Sequence, residues 1–117
     1  DISWILKAIT VKPIGVCLDT GHAYLAGYLW NVAHQLEGYI RMVHASDNRG
    51  KYDEHLPPGE GGIDWLRFFR ELHSTKFDGA IIMEIAGDAE PRHILESASR
   101  ARRFLHDCAR NLAPDFH

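Results

Sequence analysis

Long hydrophobic runs are missing from this sequence. No apolar stretch approaches the roughly 20 residues needed to cross a bilayer, so no membrane partner is expected. No basic segment leads into an apolar one, so no signal peptide is visible. Cysteine is scarce too: the two present, Cys17 and Cys108, match no metal or redox spacing. Two reduced thiols and a cytoplasmic location are the expectation. Neither sign of charge dominates, the net being −3, which gives no general reason to expect a nucleic-acid partner. The chain begins at Asp1 rather than Met, as expected of a processed or trimmed terminus or of a piece of something longer. Its 117 residues, 45% of them hydrophobic and 25% charged, suffice for one modest domain with a core. Histidine is what the chain has in excess, eight residues in all, and their placement is informative.

Hydrophobic periodicity predicts alternating elements. Residues 1–9 read as the end of a helix, with Pro13 marking the break before a strand over 14–19. Leu25, Leu29, Val32, Ala33 and Leu36 recur at three- and four-residue spacing, predicting a helix over 23–37 with a break near Gly27. A second strand runs over 39–45, followed by a polar loop rich in Gly and Pro over 46–62. Ile63, Leu66, Phe69 and Leu72 then fall on one helical face, and 79–85 reads as a third strand. Glu90-Pro91 opens the last helix, with Ile94, Leu95, Ala98, Ala101, Leu105 and Cys108 as its apolar stripe. The order α-β-α-β-α-β-α predicts an α/β fold with a parallel sheet covered by helices.

Each strand closes on a residue able to bind a metal: Asp19, His44 and Glu84. The C-terminal ends of parallel strands point the same way, so these side chains converge where barrels and open α/β sheets place their active sites. Two carboxylates and an imidazole gathered at buried strand ends suggest a shared cation, because an unpaired buried charge is expensive. A second set lies in the loops: His22, then Asp53 and His55 around Glu54. Oxygen and nitrogen donors without cysteine fit a divalent metal ion, Mn, Zn, Co or Mg. Structural roles compete with these readings. Asp19 suits a helix cap, His44 a hydrogen-bonded core position, and Asp53 and His55 a solvated loop. Arg49 is either a surface charge or a clasp for a substrate anion. His34, His73, His93, His106 and His117 read as surface residues.

The stretches "GVCLDTGHA", "VHASDNRGKYDEHLPPGEGGIDW" and "IIMEI" resemble the C-terminal part of the xylose isomerase-like TIM barrel superfamily. The resemblance covers 14 to about 86 and is nearest to its sugar phosphate isomerase/epimerase branch, which is related to apurinic-site endonucleases of the endonuclease IV type. It implies a partial (β/α) barrel in which the three parallel strands are strands six to eight, residues 1–117 forming a single C-terminal segment. It makes Asp19, His44 and Glu84 metal ligands and gives Glu84 and His22 catalytic roles. His22, Asp53 and His55 would bind a second metal or substrate, and Arg49 sits near an arginine that contacts sugar hydroxyls. The family's closed barrel has roughly 250 residues, and its first metal-binding glutamate has no counterpart here. A three-stranded wedge exposes two sheet edges and an inner face. The remaining barrel strands, or self-association into an oligomer, are therefore expected partners.

Three functions follow as expectations. The first is a metal-dependent isomerase or epimerase of a small-molecule sugar or sugar phosphate, moving a proton next to a carbonyl through a metal-stabilised enediolate. The second is a zinc-dependent phosphodiester hydrolase resembling the apurinic-site endonucleases. The third is a barrel fragment without turnover of its own.

Overall fold

The computed structural model describes residues 15–86 and 90–112. The helix expected over 1–9, Pro13, Ile14 and His117 lie outside the described residues. Strands β1 (Val16–Asp19), β2 (Ile40–Ala45) and β3 (Ala80–Met83) form one sheet in that order, and both pairings are parallel. Helices α1 (Thr20–Ala26), α2 (Leu29–Gln35), α3 (Trp65–Ser74) and α4 (Pro91–Arg110) fill the crossovers and follow β3. Parallel neighbours need such long connections, whereas a hairpin would force antiparallel pairing. The result is an α/β partial barrel of three parallel strands alternating with helices.

Period-two alternation gives the sheet two unlike faces. Leu18, Val43 and Ala45 point toward the helices and are buried with Leu29, Val32, Trp65, Phe68, Phe69, Leu72 and Leu105. Cys17, Met42 and Ile82 belong to the opposite, inner face, and Ile82 is 44% exposed. This corrects the expectation that Glu84 closes a buried strand. Among the described residues β3 is an edge strand, and Ala80 and Ile82 are exposed. The strand also ends at Met83, with Glu84 one residue beyond it.

Local chemistry moves the helix boundaries. The single broken helix expected over 23–37 is two helices, divided where Gly27 takes the left-handed conformation at φ 83°. The first starts at Thr20, because Asp19 caps it. In α3 the deepest positions belong to Trp65 and Phe68 rather than Ile63 and Leu66. Asp64 caps that helix, leaving Ile63 buried just ahead of it and Leu66 partly covered. In α4 only Ala101 and Leu105 are buried, while Leu95 is 71% exposed. The deep packing of this helix comes from its second half.

Candidate functional site

Strand register decides which side chains meet. Asp19 lies opposite His44 across the β1–β2 ladder, and His44 lies opposite Ile82 across the β2–β3 ladder. The Glu84 N–H donates to the Ala45 carbonyl at 2.9 Å, carrying the chain one step past β3. Asp19, His44 and Glu84 therefore share the inner face at the C-terminal rim. One ligand-type atom from each falls within 4.8 Å of the others. His44 Nδ1 is 2.8 Å from Glu84 Oε1. Asp19 also fills the structural role that competed with a ligand role, since its Oδ1 accepts from the His22 N–H at 2.9 Å. A carboxylate has lone pairs for both; Oδ2 faces the ring of His22, 3.4 Å from Nδ1.

The loop residues make a second group. His22, Asp53 and His55 also offer donor atoms within 4.8 Å of one another. His22 Nε2 is 2.8 Å from Asp53 Oδ2, and His55 Nε2 is 3.2 Å from Asp53 Oδ1, so one carboxylate bridges two imidazoles. The two rings lie edge to face with centroids 6.2 Å apart. His22 is held above its ordinary pKa, first by its hydrogen bond to Asp53 and then by the charge of Asp19. Asp53 is held below the usual carboxylate value, first by its hydrogen bond to His22.

Arg49 is not brought into either group. Its guanidinium is 71% exposed and lies 3.4 Å from Glu54 Oε2, and its backbone N–H donates to Glu54 Oε1 at 2.9 Å. His34, His73, His93 and His106 are exposed, and His34 pairs with Glu71. Among the described residues, Cys17 and Cys108 are free thiols.

A layer of buried polar residues beneath the rim escaped the sequence reading. Thr20, Ser46, Asp47 and Asn48 are each at most 1% exposed. Thr20 Oγ1 donates to the Ser46 carbonyl at 2.8 Å and accepts from the Ser46 N–H at 3.1 Å. Asn48 Nδ2 donates to the Gly21 carbonyl at 3.1 Å. These bonds tie the turn after β1 to the turn after β2. A Cβ at Gly21 would fall 2.5 Å from Ser46 Oγ, so the close approach needs glycine there. One signal was available: Ser46-Asp47-Asn48 directly follows the strand, and Trp65 nearby needs an acceptor for its indole N–H.

The donor set fits a divalent cation. Both groups mix imidazole nitrogen with carboxylate oxygen and contain no thiolate, as suits hard or borderline metals. An apolar groove of about 380 Å³ between Phe69, Ile81, Met83 and Leu105 lies on the helix side of β3, away from these two groups.

The xylose isomerase-like TIM barrel model matches residues 1–108. An uncharacterised protein of Methanocaldococcus jannaschii is 39% identical over 83 residues, which is 68% of this chain and 28% of that protein. The protein named "Probable endonuclease 4" of Protochlamydia amoebophila is 35% identical over 87 residues, 58% of this chain and 30% of that protein. Among solved structures, a D-tagatose 3-epimerase-like protein superposes with a TM-score of 0.70 at 29% identity, covering 93% of this chain and 42% of that one. The chain thus spans less than half the length of each of these relatives. With a match over nearly its whole length, the chain belongs to the xylose isomerase-like TIM barrel family.

Proposed function

We propose that this chain is the C-terminal, metal-holding part of a divalent-metal-dependent sugar or sugar phosphate isomerase/epimerase. The observation that carries the reading is the convergence of Asp19, His44 and Glu84 at one rim of a parallel sheet, donor atoms within 4.8 Å. The likeness to a D-tagatose 3-epimerase-like protein supports the substrate class. A bound Mn, Zn, Co or Mg ion would supply Lewis acidity to two adjacent sugar oxygens. Glu84, whose Oε1 lies 2.8 Å from His44 Nδ1, would lend one oxygen to the ion, and its other oxygen would accept or return the proton at the carbon next to the carbonyl. His22, 59% exposed above the rim, orients a hydroxyl or phosphate, with Asp53 holding its ring. Arg49, 71% exposed and paired with Glu54, would clasp the far end of the substrate on leaving that pair.

The reaction needs a second acid/base group and the rest of the barrel wall. These come from remaining barrel strands or from self-association, which would cover the exposed inner face and the edges of β1 and β3. The two free thiols agree with a reducing cytoplasmic setting.

A second reading is favoured by one observation: His22, Asp53 and His55 form another group of ligand-type atoms. Together with the endonuclease 4 relative, this supports a zinc-dependent phosphodiester hydrolase. Native mass spectrometry with metal analysis tests both. One ion per chain is the outcome expected of the isomerase, and two or more would favour the hydrolase. A chain that takes up no metal in any oligomeric state, and turns over neither substrate, would leave only the inactive barrel fragment.

A further inference from the structure

The loop over 46–62 carries Asp53 and His55 on an exposed excursion, yet it is fastened at its base to one buried side chain. The Asp47 carboxylate, 0% exposed, accepts four hydrogen bonds. Oδ1 takes the N–H groups of Asn48 at 2.9 Å and Ile63 at 3.1 Å. Oδ2 takes the Gly59 N–H at 3.0 Å and the Trp65 indole N–H at 2.8 Å. The Asp47 backbone adds a reciprocal pair with Leu56, at 2.8 and 2.9 Å. One residue therefore fixes the chain at 56, 59, 63 and 65.

The position next to Leu56 is His55, whose φ is +52°, a left-handed conformation uncommon for residues other than glycine. Such a conformation persists only where its neighbours over-determine it. Here Leu56 is held by Asp47 on one side, and the Ala86 N–H donates to the His55 carbonyl at 3.0 Å on the other. The ring so aimed meets Asp53, which in turn meets His22. Gly61 leaves room for this arrangement, since a Cβ there would fall 2.4 Å from Asp47 Oδ1.

We propose that Asp47 is a positioning residue: its buried carboxylate sets the strained conformation of His55 and thereby assembles the His22–Asp53–His55 group. Its importance to activity rests on the reading that this group serves the site. The chemistry requires an aspartate. Four N–H donors converge on two oxygens, and an asparagine would turn an NH₂ toward two of them.

The test compares ¹⁵N-labelled, metal-free 117-residue chains, parent and Asp47→Asn, by imidazole ¹⁵N–¹H correlation spectra that report the proton position on each ring. In Asp47→Asn the His22 and His55 signals are expected to move to those of an Asp53→Ala chain. The His44 signals, set by Glu84 on the strand rim, stay where they are. A folded Asp47→Asn chain with unchanged His22 and His55 signals would overturn the proposal and reduce Asp47 to a stabilising core residue. Where Asp47→Asn fails to fold, Trp65→Phe removes one donor without stranding a buried N–H. Amide exchange at Leu56 and Gly59 is then expected to quicken about tenfold, while interior amides of α3 keep their rates. Equal rates at Leu56 and Gly59 would overturn the proposal. If the rings respond to Asp47→Asn but the parent chain takes up neither Mn²⁺ nor Zn²⁺, the functional reading fails and the positioning role stands.

Discussion

The two ligand-type groups at the rim are alike in chemistry and unlike in what holds them. Asp19, His44 and Glu84 sit on or directly after strands, and the sheet's hydrogen-bond ladder fixes their spacing. His22, Asp53 and His55 stand above them on a helix turn and a long loop, and their spacing depends on mutual hydrogen bonds and on Asp47. Side chains of the first group are 23–39% exposed and those of the second 30–59%. Ligands on a rigid ladder lose little freedom when an ion binds, whereas loop-borne ligands must be ordered. On the proposed function, the rim group suits a resident ion, and the loop group an exchanging partner such as substrate or a second metal.

The largest effect that could break this contrast is loss of a rim ligand. His44→Ala should lower divalent-metal affinity by more than the roughly 10- to 100-fold typical of an outer-shell change, as read by isothermal titration calorimetry. Asp53→Asn should leave that resident ion in place, and a comparable loss there would make the two groups one cluster. Next in size is Trp65→Ala, which empties a fully buried site and removes a donor to Asp47. A loss of about 3–5 kcal/mol in denaturant unfolding is expected. Thr20→Val, which strands the buried Ser46 N–H, should cost about 1–3 kcal/mol by the same measurement.

The pH dependence sharpens the contrast from the loop side. His22 has a raised pKa, so its contribution is complete below the ordinary histidine value of about 6.5 and fades as pH rises through the raised one. Asp53 has a lowered pKa, so its contribution is complete above the ordinary value of about 3.9 and fades as pH falls through the lowered one. The melting-temperature difference between the parent and His22→Gln chains should be greatest between those limits and shrink on both sides. A flat difference across pH would mean that the pair does not form. The smallest expected effect is Ile82→Thr on the open inner face, within about 0.5 kcal/mol for the chain alone. A markedly larger loss would reveal that something covers that face in solution.

Element order, the parallel sheet and the rim group were legible because each strand is a short, largely apolar run with one ligand-type residue at or beside its C-terminal end. Period two then put Asp19, His44 and Glu84 on a common face. Gly27 announced the break between α1 and α2. What stayed illegible depended on contacts between distant segments. The position of Ser46-Asp47-Asn48 directly after a strand hints at burial, but most of their partners are distant, including residues 20, 21, 56, 59, 63 and 65. The pairing of Arg49 with Glu54 is likewise a matter of loop path rather than composition. Leu95 misled for the opposite reason: a helical stripe records what a helix can bury, and α4 buries only the stretch that reaches α3.

The β1–β2–β3 ladder acts as a ruler as well as a support. Asp19 and His44 are indexed by their strand partners, Asp19 to His44 and His44 to Ile82, and Glu84 follows one step past β3. A slip of one residue in β2 would turn His44 toward the helices and present Val43 or Ala45 to the rim. No intermediate setting exists between an aligned rim group and a misaligned one. Substitutions that merely soften the sheet should therefore divide molecules into metal-competent and metal-incompetent populations, rather than grading the affinity of all of them.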